Sequence, residues 1–136
     1  MKRVALFFSL VLCAGIFCGC KKGGGGGSSS NEANLVVEID PANGTVQTPS
    51  LGPFNLKVTI TSVMPSGGVK IEISAKKDDG SGTAPFFTST SNTSTNVSNF
   101  NIVNTTTSVQ CLVEIKVTSL SKSSNQWPGS YRYSRK

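Results

Sequence analysis

The sequence contains no histidine, and three of its four cysteines lie within the first 20 residues. Without histidine the chain lacks the commonest general base and the commonest neutral metal ligand, which excludes Ser-His-Asp and Cys-His catalysis within it. A single later cysteine, Cys111, also excludes the usual zinc sites and leaves no partner for a disulfide in the mature domain. We therefore expect a protein that is not an enzyme and that needs no cofactor or metal.

Charge is scarce as well, because Asp, Glu, Lys and Arg together make up 15% of the sequence. The formal net charge is +6, but four of the thirteen cations precede residue 23; from Asn31 onward nine cations face seven carboxylates. So small an excess does not favour nucleic acid as a partner. A glycosidase would need two carboxylates in one cleft; Glu72 and Glu114 are instead expected to be solvated on polar strand faces.

Residues 1–19 have the parts of a secretory signal peptide. Lys2 and Arg3 form the positive start, and an apolar run from Val4 to Cys13 is interrupted only by Ser9. The apolar stretch, of about 15 residues, is shorter than the roughly 20 that a membrane-spanning helix needs. Export is therefore predicted, with an uncleaved N-terminal anchor as one alternative.

Phe17-Cys18-Gly19-Cys20 resembles the lipobox of bacterial lipoproteins, although Leu is usual where Phe17 stands and Ala or Ser where Cys18 stands. The resemblance implies cleavage after Gly19 and a diacylglyceryl group on the Cys20 thiol. The partner would then be a membrane of the cell envelope, with the outer membrane favoured. An ordinary cleaved signal without lipid is the other alternative.

Residues 20–34 are predicted to be the lipidated cysteine and a flexible tether. Gly23–Gly27 is followed by three serines, a composition with no side chains to pack and a large cost of ordering. From Lys21 to Asn34 such a chain has an r.m.s. span of about 20 Å. The sequence thus predicts a domain held beside a membrane.

Residues 35–136 are predicted to form one all-β domain, because apolar and polar residues alternate with a period of two. The alternation is clearest over Phe54–Ile60, Val69–Lys76 and Val109–Thr118. Weaker strands are predicted at Leu35–Asp40, Thr45–Thr48, Phe86–Ser89, Ser98–Val103 and Ser130–Ser134. Gly, Pro, Asn and Asp punctuate the strands at turns, including Asn125–Gly129.

About seven short strands in 100 residues are typical of an immunoglobulin-like or fibronectin-III-like antiparallel β-sandwich. The pattern of Phe54–Ser74 and Val109–Lys136 resembles the Ig-like domains of envelope lipoproteins, particularly those of Bacteroidetes. Alternation places Cys111 on the apolar face, where it is expected to be a small buried hydrophobe.

Two polar segments offer weaker hypotheses. Asp78–Gly82 is rich in oxygen ligands but lacks the spacing of an EF-hand, which favours a plain turn over a calcium loop. Residues 83–108 are half serine and threonine. They are predicted to be a polar sheet edge with long loops, with glycosylation left open.

Aromatic residues near the C-terminus are the best candidates for recognition. Trp127 lies in a predicted turn, and Tyr131 and Tyr133 share one face of the last strand. Exposed, they would suit stacking on sugar rings or burial against a protein; alternatively, Trp127 caps the core and the tyrosines pack inward.

The resulting functional hypothesis is a membrane-anchored extracytoplasmic lipoprotein whose β-sandwich is a non-catalytic binding or structural module. One alternative is a carbohydrate-binding surface lipoprotein that uses Trp127, Tyr131 and Tyr133. Another is a subunit of a secretion or fimbrial assembly that pairs through an exposed sheet edge.

Overall fold

The computed structural model describes residues 31–136, and every regular element in that range is a β-strand. The seven strands are β1 (Val37–Asp40), β2 (Phe54–Ile60), β3 (Val69–Lys77), β4 (Phe87–Thr93), β5 (Val97–Ile102), β6 (Gln110–Ser119) and β7 (Gln126–Ser134). The predictions for the signal peptide, for Cys20 and for most of the tether lie outside the described residues.

The strands form two antiparallel sheets, which confirms the predicted all-β sandwich. One sheet has three strands in the order β1-β2-β5, and the other has four in the order β4-β3-β6-β7. The longest registers join β6 to its two neighbours: β3–β6 runs from Val69 opposite Ser119 to Lys77 opposite Cys111. β6 and β3 are thus the central strands of the larger sheet.

The period-two alternation is the reason that these segments are strands, because it gives each sheet one apolar face. β2 buries Leu56, Val58 and Ile60 and turns the residues between them toward solvent. The same pattern holds in β3 and β6, where Cys111 is fully buried as expected. Burial of these facing stripes between the sheets is the main source of stability.

The last strand begins earlier than predicted. The sequence predicts a turn over Asn125–Gly129, but β7 already starts at Gln126, and Pro128 lies opposite Lys116 of β6. Proline cannot donate a ladder hydrogen bond, so it is tolerated in an edge strand. β7 is the edge of its sheet, which explains why Pro128 does not end it.

The segment from Asn43 to Ser50 covers the free edge of β7. The amide N–H of Gln47 donates to the carbonyl of Arg132 at 2.8 Å, and that of Arg132 donates to the carbonyl of Thr45 at 2.8 Å. The predicted strand at Thr45–Thr48 is therefore a parallel bridge at Val46 and not a ladder strand. It protects this edge from pairing with another chain.

The strand directions sort the loops into two groups. Residues 31–36 and the loops 61–68, 94–96 and 120–125 lie at one end of the sandwich, which we call the N-terminal end. The loops 41–53, 78–86 and 103–109 and the last two residues lie at the other, the C-terminal end.

Asn125 fixes the chain where it enters the domain. Its side-chain oxygen accepts the N–H of Leu35 at 2.9 Å, and its amide nitrogen donates to Glu32 Oε1 at 2.6 Å and to the Ala33 carbonyl at 2.9 Å. Residues 32 and 33 belonged to the predicted tether. Their contacts with Asn125 attach the end of that segment to the compact unit, which begins at Asn31.

Candidate functional site

The three aromatic candidates do not form an exposed surface. Tyr131 and Tyr133 are each 2% exposed and belong to the core, and Trp127 is half-buried and packs against it. β7 directs these residues inward because they lie opposite buried residues of β6: Val117, Val113 and Cys111. The three side chains face the core, whereas the carbohydrate-binding hypothesis needs them exposed as a stacking platform.

The tyrosines belong to an aromatic cluster at the C-terminal end. The ring of Tyr133 lies 4.5 Å from that of Phe54 and 6.1 Å from that of Tyr131. Its hydroxyl is 2.7 Å from the hydroxyl of Thr105. Burial raises the pKa of Tyr133 to about 12, and burial raises the pKa of Tyr131 above its ordinary range. Both hydroxyls are therefore neutral at physiological pH.

A broad open depression lies on the outer face of the four-stranded sheet. It has a volume of about 600 Å³, and a second one of about 580 Å³ continues from it because Ser74 and Glu114 line both. We call the two together the sheet groove. One wall is formed by Asn43 and Pro128, and the other by the 80–85 loop. Its floor consists of the outward side chains of β3, β6 and β7: Glu72, Ser74, Glu114, Lys116, Gln126 and Ser130.

Ion pairs occupy the floor of the sheet groove. Lys76 Nζ lies 2.8 Å from Glu114 Oε2, and Lys70 Nζ lies 3.0 Å from Glu72 Oε1. These side chains are about one-third to one-half exposed, so the pairs contribute little to folding stability. They remain available to exchange partners with a polar or charged ligand.

Asp78 and Asp79 hold the groove's second wall. Arg132 Nε donates to Asp78 Oδ2 at 2.5 Å, which ties the wall to β7. Asp79 accepts hydrogen bonds from the Ser81 hydroxyl and from the Ser81 N–H, and these bonds lower the pKa of Asp79. The geometry is that of an Asx turn.

Nothing in residues 31–136 is arranged as a metal site, since no three candidate ligand side chains come together there. Burial raises the pKa of the Cys111 thiol, so it is held in the unreactive protonated form. No helix in the described part of the chain is long and apolar enough to cross a membrane.

The second surface of interest is the open side of the sandwich at β4 and β5. The two strands are edges of different sheets, and the chain has no charged residue from Gly80 to Val113. Neither strand contains proline. Natural edge strands are usually protected by lysine, proline, bulges or a covering segment. β7 is covered by residues 43–50, whereas β4 shows none of these protections.

Comparison of the chain with protein-family models gave no match. A search of curated proteins likewise found nothing similar. A search of the solved structures also found no match to this chain.

Sequence reasoning missed the sheet groove, because its floor joins side chains from three strands whose register is not visible in the sequence. The available signal was the run of charged residues at the outward positions of β3 and β6. The uncharged stretch from Gly80 to Val113 can be read directly from the sequence. The structure adds that its two strands, β4 and β5, are edges of different sheets.

Proposed function

We propose that the protein is an extracytoplasmic lipoprotein, anchored through lipid on Cys20, whose sandwich is a non-catalytic module that binds a partner protein in the sheet groove. The anchor is supported by the sequence from Lys2 to Cys20. The observation that carries the binding role is the groove itself, a continuous depression whose floor presents charges of both signs.

The chemistry of the groove favours a polar protein surface as its ligand. Its lining offers carboxylates, ammonium groups, amides and hydroxyls but no aromatic ring. Electrostatic complementarity of this kind sets specificity and the rate of association. Sugar-binding sites commonly add a stacking platform, and the burial of Tyr131 and Tyr133 removes the support for one here.

The anchor is tested by intact mass and by fractionation. The mature protein should begin at Cys20, carry the mass of its acyl chains and partition with membranes. Cys20→Ala should release the protein from membranes, and Cys18→Ala serves as the matched control that leaves it there. An unmodified N-terminus would overturn the anchor.

The groove is tested by photo-crosslinking in intact envelopes. A photoreactive residue at Lys116, on the groove floor, should give a discrete cross-linked species, and one at Lys57 should not. Lys57 is the matched control, since it is an exposed lysine on a strand of the three-stranded sheet. Glu114→Lys should suppress the product at position 116; identical products at both positions would contradict the groove.

A second candidate function is that of an assembly subunit, and the unprotected edge of β4 favours it. An uncharged seven-residue edge can pair with an extended segment of a partner through main-chain hydrogen bonds. Thr90→Lys places a charge on that edge and should dissociate such an assembly on native gels of solubilised membranes. Thr59→Lys makes the same change on the central strand β2 and should leave the assembly intact.

A further inference from the structure

The chain enters the domain at the N-terminal end of the sandwich. Asn125 binds Glu32 and Ala33 beside the loop that leads into β7. The same end holds the loops 61–68 and 120–125, which are joined by the hydrogen bond from the Gly67 N–H to Ser121 Oγ at 2.8 Å. Any anchor upstream of residue 31 is therefore connected to the domain at this end.

The distance to such an anchor is short. Eleven residues separate Cys20 from Glu32, and their full extension spans about 40 Å. A flexible Gly/Ser-rich chain of that length would have an r.m.s. span of about 20 Å. The ten residues of β6 make the sandwich about 33 Å long. With lipid on Cys20, the N-terminal end would stay close to the membrane, and the C-terminal end would reach it only if residues 21–31 doubled back along the whole domain.

This end exposes four large aliphatic side chains, against three at the C-terminal end, and it carries fewer charged residues. Four of the seven large hydrophobic side chains exposed in residues 31–136 lie here: Val36, Val63, Val97 and Leu120. Residues 31–36 and the three loops at this end carry two charged residues, Glu32 and Lys122. The loops and the last two residues of the C-terminal end carry four charged residues: Asp78, Asp79, Arg135 and Lys136. Exposed aliphatic side chains on a surface with few charged residues suit the interfacial layer of a bilayer.

We infer that the N-terminal end is a membrane-contacting surface, with Val63 and Leu120 in the interfacial layer of the bilayer that holds the lipid. The inference rests on the proposed lipid at Cys20. It assigns an orientation: the strands stand away from the membrane, the C-terminal end points outward, and the sheet groove and the β4 edge stay open to partners.

The test compares two equally exposed positions at opposite ends. Val63 is 78% exposed and Leu51, at the C-terminal end, is 77% exposed. Val63→Cys and Leu51→Cys each add one reactive thiol to the mature chain, because Cys111 is fully buried and the Cys20 sulfur would carry lipid. Each variant is labelled with an environment-sensitive fluorophore and reconstituted by its own lipid into vesicles of phosphatidylcholine and phosphatidylglycerol.

Quenchers attached to the lipid headgroup region should reduce the fluorescence at position 63 at least twofold more than at position 51. A second pair, Leu120→Cys and Val103→Cys (47% and 50% exposed), should repeat the contrast if either variant of the first pair folds poorly. Equal quenching within the pairs, or stronger quenching at positions 51 and 103, overturns the inference.

The intact mass of each labelled protein separates this failure from that of the anchor. A lipidated mass with equal quenching overturns the orientation and leaves the anchor standing. A mass without lipid, together with no binding to vesicles, overturns both.

Discussion

The side-chain oxygen of Asn125 accepts the backbone N–H of Leu35 across 90 residues of sequence, at 2.9 Å and out of contact with solvent. Through this bond and two more from its amide nitrogen, one residue between β6 and β7 fixes the first residues of the domain. The polar groups are paired, which is the condition for burying them without cost.

Replacing Asn125 should therefore destabilise the domain. Asn125→Ala leaves the Leu35 N–H without its partner, which costs about 1–3 kcal/mol of unfolding free energy. Asn125→Asp keeps an acceptor for Leu35 but places a carboxylate against Glu32 and the Ala33 carbonyl, so it should also lower the free energy of unfolding.

Urea denaturation followed by Trp127 fluorescence measures the stability of both variants. Ser123→Ala, at an exposed position nearby, is the control; an Asn125→Ala midpoint equal to that of the control would refute the role of this bond.

Gly129 should not tolerate a side chain. A Cβ at this position would lie 2.2 Å from the indole ring of Trp127, since the ring folds back over the glycine on the inner face of β7. Gly129→Ala should cost about 1–3 kcal/mol through overpacking. Denaturation of Gly129→Ala, Trp127→Ala and the double variant completes a double-mutant cycle. The double variant should lose less stability than the sum of the two single losses, because removal of the indole frees the space for the alanine methyl group. Strict additivity would show that the two residues do not interact.

The strands were predictable where the alternation of apolar and polar residues is strong and is bounded by turn residues, as in β2, β3 and β6. The placement of Tyr131 and Tyr133 was harder, because a period of two shows that they share a face without showing which face is buried. Arg132 and Ser134 alternate with them and would have favoured the inward arrangement. Pro128 favoured a turn, and only the position of β7 at a sheet edge makes it compatible with a strand. The groove and the Asn125 contacts depend on register and on partners 90 residues away, and local patterns do not encode these.

The buried tyrosines should make the protein lose stability at high pH. Burial raises the pKa of Tyr133 to about 12, above its ordinary value of about 10. The folded state then holds more protons than the unfolded state between pH 10 and 12. The contribution of these tyrosines to stability is therefore fully present below pH 10 and falls as the pH rises through this window.

The chain has two tyrosines, so tyrosinate absorbance reports on this pair alone. We expect no tyrosinate signal near pH 10 in the folded protein, and ordinary titration there would disprove their burial. Tyr133→Phe should lower stability by about 1 kcal/mol at neutral pH through loss of the bond to Thr105 and should weaken the alkaline loss.

Two adjacent glycines in the loop between β2 and β3 should respond differently to the same substitution. Gly68 has φ of +78° and a Cβ there would lie 2.5 Å from the carbonyl oxygen of Thr93, a backbone atom held in β4. Gly67 has no positive φ, and its nearest neighbour would be the rotatable hydroxyl of Ser121 at 2.8 Å. Gly68→Ala therefore combines the strain of a left-handed backbone with a clash against fixed backbone, and it should lower the free energy of unfolding by about 2–4 kcal/mol. Gly67→Ala should lower it by about 1 kcal/mol or less.

Thermal and urea denaturation of the two variants measures the difference. Equal costs would mean that the contact of this loop with β4 is absent in solution, and the loop arrangement at the N-terminal end would have to be redrawn.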